Sequence, residues 1–169
     1  MSPSTKARPK GAPPRLFHLM QLAHRALFRA ADQALNSELG ISAVQQGALF
    51  VIAQHDPCHP TAIAKSLDMN KSAVTTLVAR LEAAKLVTRS ADPEDGRAQL
   101  IHLSPKGRET IRLSVPMTKQ ANANLLEGFT TDEIAVIERF LTEVINRSAR
   151  AASQSQTSSS KPHSQGVTP

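Results

Sequence analysis

The chain has no tryptophan or tyrosine, and only 5 of its 169 residues are phenylalanine, so any core must be built chiefly from Leu, Ile, Val and Ala. That favours helices packed on helices. Its one cysteine, Cys58, excludes an internal disulfide and agrees with a reducing compartment. No apolar run approaches the roughly 20 residues of a membrane span, and the opening "MSPSTKARPK" lacks the apolar stretch of a signal peptide. A cytoplasmic location and no membrane partner are expected. Gly-rich phosphate loops, nucleophile elbows and paired carboxylates in apolar settings are all missing, so neither an enzyme nor a cofactor is expected.

What is there is positive charge. A formal charge of +6 and a pI near 10.0 favour an anionic partner, nucleic acid or an acidic membrane surface, and the placement of the charge has to decide between them. The length suits one domain. Residues 1–14 hold four prolines and three basic residues, Lys6, Arg8 and Lys10, with almost nothing apolar, and are expected to be a disordered arm. The ending "AASQSQTSSSKPHSQGVTP" is a low-complexity Ser/Gln/Thr stretch, expected to be a disordered tail over 151–169. The folded part is expected at 15–150.

Within it the spacing predicts a first helix from about Arg15, with Leu16, Leu19, Met20, Ala23, Leu27, Ala30 and Ala34 on one stripe and Gly40 as its left-handed cap. "SAVQ" is a capping box, Ser42 with Gln45, that opens a second helix to about His55. Thr61 is expected to cap a short third helix through Leu67, and Asn70 a fourth through Lys85. Short helix, turn, longer helix is helix-turn-helix spacing. "LVTRS" and "AQLIHL" flank a Pro/Gly/Asp turn and predict a hairpin with Ile101 and Leu103 facing inward, although Leu100 breaks the alternation. Ser104 and Pro105 start a fifth helix, expected to bend at Pro116 and end at Gly128; "TTDE" caps a sixth with Thr130 and Glu133, carrying Ile134, Ile137, Leu141, Val144 and Ser148 on one stripe. The fold class is therefore mainly α with a small β-hairpin wing. A winged helix-turn-helix at about 42–104 is flanked by terminal helices at about 15–39 and 105–150. Their wide apolar stripes call for a second copy and a twofold dimer.

In the fourth helix, "NKSAVTTLVARLEAAK", Val74, Leu77, Val78 and Leu81 form the face to be buried, while Ser72, Thr75, Thr76 and Ala79 share another. Small hydroxyl and methyl groups let a helix enter a major groove, and Lys71 at its start suits a phosphate. An ordinary soluble Ser/Thr-rich surface is the plain alternative. The tip of "DPEDGRAQLIHLS" favours the groove: Arg97 has no hydrophobic surface nearby in sequence to cover, and an Arg gains from the negative potential of a narrow minor groove. Asp95 is expected to brace the wing against Arg80 of the fourth helix.

Residues 15–150 resemble the MarR (multiple antibiotic resistance regulator) family of bacterial transcription factors. The likeness rests on "MNKSAVTTLVARLEAAKLVTR" followed by "DPEDGRAQLIHLSPKG", in which Asp95, Arg97, Leu103, Ser104 and Gly107 meet the family's wing pattern. The resemblance implies a dimer whose two recognition helices bind double-stranded DNA at a palindromic promoter site, half-sites about 34 Å apart. It also implies a repressor released by a small-molecule effector. The expected DNA-binding set is Thr61, Asn70, Lys71, Ser72, Thr75, Thr76, Arg80, Asp95 and Arg97. Effector clefts of the family lie between dimerisation helices and the winged domain, which makes His18, Arg25, Phe28, Gln45 and Phe50 candidates by chain location, against the plainer reading of core or surface residues.

"HDPCHP" offers His55, Cys58 and His59 as zinc donors, but a closed site wants four ligands and the stretch reads as a turn, so no metal is expected. A sequence-neutral chromosome binder would show a specificity ratio near one against competitor DNA, and two further rival readings stand beside the sequence-specific one. They are a protein-interaction module of the same fold and a metal- or thiol-responsive regulator using Cys58.

Overall fold

Gly40 supplies the first stop. The computed structural model describes residues 15–96 and 98–158, and in it α1 (Leu16–Leu39) ends where Gly40 takes φ 66° and donates its N–H to Asn36 and Leu35 carbonyls. A residue with a Cβ is strained in that region, and glycine is not. The α2 helix (Ala43–Gln54) opens on the expected capping box: the Gln45 N–H donates to Ser42 Oγ at 3.2 Å and the Ser42 N–H to Gln45 Oε1 at 2.8 Å. The Ala43 N–H donates to Asp32 Oδ1 at 2.7 Å, so α1 also caps α2.

The α3 helix (Pro60–Ser66) departs from expectation. Its N-cap is His59, without a side-chain cap bond, and Thr61 lies inside the first turn. The reason is Pro60, whose fixed φ and missing N–H suit the first helical position and start the helix two residues early. The α4 helix (Lys71–Ala83) begins as expected, with Asn70 Oδ1 accepting from the Ala73 N–H at 2.9 Å. It stops two residues short of Lys85, which takes φ 60° and turns the chain into the wing. The strands β1 (Val87–Ala91) and β2 (Gln99–Leu103) pair antiparallel in the register Val87 with Leu103 and Arg89 with Ile101. Leu100, which broke the alternation, is half-buried.

The core lies among α2, α3, α4 and the hairpin. Leu49, Ile52, Ile63, Val74, Leu81, Leu86, Val87 and Ile101 are fully enclosed, and each side chain of that size adds roughly 1.5–3 kcal/mol on burial. Val74, Leu77, Val78 and Leu81 form the buried face of α4. Helix, turn, helix and two-stranded wing make a winged helix-turn-helix.

The α5 helix (Pro105–Leu126) carries Pro116 inside it. The chain divides within α5 into two compact units, one through Ala121 and one from Asn122. In the second unit α6 (Thr131–Ser158) is capped by Thr130 and Glu133, with the Thr130 N–H 2.8 Å from Glu133 Oε2. It runs past the boundary expected at 150, because residues 151–158 contain no Gly or Pro to end a helix that Ala149 and Ala151 favour. The arm at 1–14 and residues 159–169 of the tail lie outside the described residues. Among the described residues no helix is long and apolar enough to cross a membrane.

Candidate nucleic-acid interface

Burying Val74, Leu77, Val78 and Leu81 turns the opposite side of α4 outward. Lys71, Ser72, Thr75, Thr76, Ala79 and Arg80 are all exposed there. Asn70 stands at the helix start, its Oδ1 accepting from both the Ala73 N–H and the Ser72 hydroxyl, the latter at 2.8 Å. Thr75 Oγ1 donates to the Lys71 carbonyl at 2.9 Å and Thr76 Oγ1 to the Ser72 carbonyl at 3.1 Å. Thr61 is exposed on α3 and shares with Lys71, Thr75, Arg89 and Gln99 the rim of a cavity of about 490 Å³ between α3, α4 and the wing. Val74, Val78 and Ile101 supply its apolar lining.

At the wing tip the chain turns through an Asp92 side chain that accepts from the Glu94 N–H at 2.9 Å, and the Ala98 N–H donates to the Asp95 carbonyl at 2.8 Å. Arg97 lies outside the described residues. The ion pair that joins α4 to the wing is Glu82 with Arg89, whose Nε is 2.9 Å from Glu82 Oε2 without pointing its N–H along a hydrogen-bond line. Glu82 and Arg89 thus tie α4 to the first strand of the wing. Both partners are partly exposed, so the pair adds little stability and acts chiefly by orienting the strand.

Further ties hold the wing from behind. Cys58 pairs with Ile101 through two backbone hydrogen bonds of 2.9 Å, adding a short third edge to the hairpin. Asp56 contacts Arg108 of α5 at 2.6 Å and His102 of β2 at 3.7 Å, while His102 Nε2 lies 2.9 Å from Ser90 Oγ. His59 Nε2 lies 3.6 Å from Asp92. Of the residues that offered zinc-donor chemistry in the sequence, His55 and His59 are exposed and Cys58 is buried. Among the described residues no cluster of three or more His, Cys, Asp or Glu is arranged to hold a metal ion. Burial first, and then the Asp56 charge, push the Cys58 thiol above its ordinary pKa, the reverse of what a reactive thiolate needs.

The Ser104–Gly107 segment has a structural job. Ser104 Oγ accepts from the Gly107 N–H at 2.9 Å, capping α5, and donates to the Lys85 carbonyl at 2.7 Å. A Cβ on Gly107 would stand 2.1 Å from the Leu86 carbonyl oxygen, so only glycine lets α5 approach the start of β1 so closely. These residues fix the wing to the helix behind it rather than facing outward.

Of the effector candidates, His18, Arg25 and Phe28 are exposed on α1, and Phe28 rests against His24 with ring centroids 4.4 Å apart. Phe50 is half-buried on α2, and the Gln45 side chain is committed to its cap. None of the five lines the cavity beside α4.

Residues 39–98 match the model of the MarR family. Among curated relatives, an uncharacterised HTH-type transcriptional regulator of Bacillus subtilis, YsmB, is 36% identical over 70 residues, 41% of this chain and 48% of that protein. The HTH-type transcriptional repressor NicR of Pseudomonas putida is 25% identical over 137 residues, 79% of this chain and 84% of that one. The matches span about half the length of the first two curated relatives, 48% and 57%. Among solved structures, Bordetella bronchiseptica BpsR, described for regulation of its DNA binding by 6-hydroxynicotinic acid, superposes with a TM-score of 0.69 at 25% identity, over 78% of this chain and 98% of that one. The family model spans the helix-turn-helix and the fold of the solved relative extends over most of the chain, so this chain is similar to MarR-family regulators in both its central segment and its architecture.

Proposed function

We propose that the chain is a sequence-specific, DNA-binding transcriptional regulator that acts as a homodimer, represses from a palindromic promoter site and is released by a small-molecule effector. The observation that carries this reading is the exposed face of α4, small side chains with Lys71 at its start, standing beside a hairpin wing in a basic chain. Lys71 neutralises a phosphate, Ser72, Thr75 and Thr76 meet base edges in the major groove, and Arg97 enters the minor groove. Thr61, Asn70, Arg80 and Asp95 complete the set by position or by support.

Two exposed apolar stripes support the dimer. On α1, Leu16, Phe17, Leu19, Leu22, Leu27 and Phe28 are exposed; on α6, Val136, Phe140, Leu141 and Ile145 are. A second copy covers such stripes with the commonest oligomer symmetry. The name of NicR as a repressor and the effector of BpsR support repression relieved by a small ligand. A cytoplasmic location follows from that role.

The test is selection of genomic fragments by the purified protein at stated salt, with Arg97→Ala in parallel. Enrichment of one palindrome, weakened in the variant, is the expected result. Absence of any enriched sequence would replace this reading with the protein-interaction module.

A further inference from the structure

The hydroxyl groups on the exposed face of α4 are not free donors. Ser72 Oγ donates to Asn70 Oδ1, Thr75 Oγ1 to the Lys71 carbonyl and Thr76 Oγ1 to the Ser72 carbonyl, at 2.8, 2.9 and 3.1 Å. A hydroxyl has one proton to give and two lone pairs with which to accept. With the proton turned back onto the protein, each of these groups offers its surroundings only an acceptor. The two threonines add γ-methyl groups, and Ala79 adds its β-methyl on the same exposed side.

We infer that the middle of α4 meets DNA as a surface of acceptors and methyl groups, and that the base pairs facing Thr75 and Thr76 are A·T pairs. This deepens the DNA-binding reading above and rests on it. In the major groove guanine shows two acceptors, N7 and O6, which an acceptor surface cannot satisfy. Cytosine offers the N4 amino group but no methyl. An A·T pair offers both partners at once: the adenine N6 amino group donates to a hydroxyl oxygen, and the thymine C5 methyl packs against a threonine or alanine methyl. Turning a threonine hydroxyl outward to serve guanine would break a bond already made inside the helix, whereas the A·T contact keeps it. Donors on this face come from the Asn70 amide and Lys71 at the start of α4 and from Arg80 near its end, so any guanine contact falls to the margins of the read segment.

The experiment uses the full-length protein and the duplex recovered by fragment selection. Each thymine of one half-site is replaced in turn by deoxyuridine, which deletes only the C5 methyl, and affinity is measured for wild type, Thr75→Val, Thr75→Ser, Thr76→Val and Thr76→Ser. Loss of one methyl contact is expected to weaken wild-type binding about fourfold, the worth of one methyl-sized group withdrawn from water. Each Ser variant should lose a similar factor on the unmodified duplex and become insensitive to uracil at one particular position. Each Val variant should retain the uracil sensitivity. Far-UV circular dichroism confirms that the variants fold. Uracil sensitivity unchanged in both Ser variants, or G·C pairs required at the positions they affect, overturns the inference while leaving the DNA-binding reading intact. Failure of the wild type to select any duplex overturns both.

Discussion

Removing the Ser104 hydroxyl should loosen the wing without touching the face that α4 turns outward. In Ser104→Ala the buried Gly107 N–H loses its acceptor at 2.9 Å and the Lys85 carbonyl loses its donor at 2.7 Å. The first is a helix cap, worth about 1 kcal/mol. The second is a part-buried hydrogen bond whose loss costs about 1 kcal/mol more. The expected loss is therefore about 2 kcal/mol, a fall of roughly 1 M in the urea midpoint for a slope of about 2 kcal/mol/M. With no Trp or Tyr in the chain, unfolding is best followed by far-UV circular dichroism. Ser104→Thr, which keeps both the donor and the acceptor, should recover most of the loss. A change below about 0.5 kcal/mol in Ser104→Ala, the scatter of ordinary surface substitutions, would refute the claim that this hydroxyl links α4, the wing and α5.

Gly107→Ala should cost at least as much, over about 2 kcal/mol, because its Cβ meets backbone at Leu86 that cannot rotate away; a melt equal to wild type would contradict the close approach. Lys71→Ala should lower the slope of log affinity against log salt by ~1 if that residue holds one phosphate, and an unchanged slope would remove it from the footprint. The Cys58 pKa is raised by burial and then by Asp56, so its stabilising effect is present below the ordinary thiol pKa and is lost as pH rises through the raised value. Alkylation of the native protein at pH 8 should be much slower than after unfolding, and equal rates would show that the thiol is not enclosed. The Glu133 pKa is lowered, first by the Thr130 backbone N–H and then by its hydroxyl. The cap therefore holds above the usual carboxylate range and fails as pH falls through the lowered value; Glu133→Gln should remove that acid-dependent loss of α6 helicity, read by circular dichroism, and a persisting step would assign it elsewhere.

Local chemistry was readable where partners lie within a turn of one another. Gly40 after α1, the box of Ser42 with Gln45, Asn70 before α4 and Thr130 with Glu133 each join neighbours four or fewer residues from the helix end, and each could be named from spacing. The buried face of α4 followed from its period, since Val74, Leu77, Val78 and Leu81 must share a side. The misplaced start of α3 shows the limit of such reading: Thr61 has the chemistry of a cap, but Pro60 has the fixed backbone of a first helical residue and decided the boundary.

Tertiary structure alone decided which charges from different elements meet. Asp56 and Arg108 are 52 positions apart, Glu82 finds Arg89 only because the chain turns at Lys85, and Cys58 reaches Ile101 across the core. It also decided which way the α4 hydroxyls turn, for spacing places Thr75 and Thr76 on an exposed face without saying whether their protons point outward. Ser104 and Gly107 were legible as a pattern, and their role only as a packing contact against Lys85 and Leu86. The division has one physical reason. Periodicity and capping depend on backbone geometry over a few residues, whereas ion pairs, side-chain rotamers and close backbone approaches depend on segments that only the folded chain brings within a few ångströms.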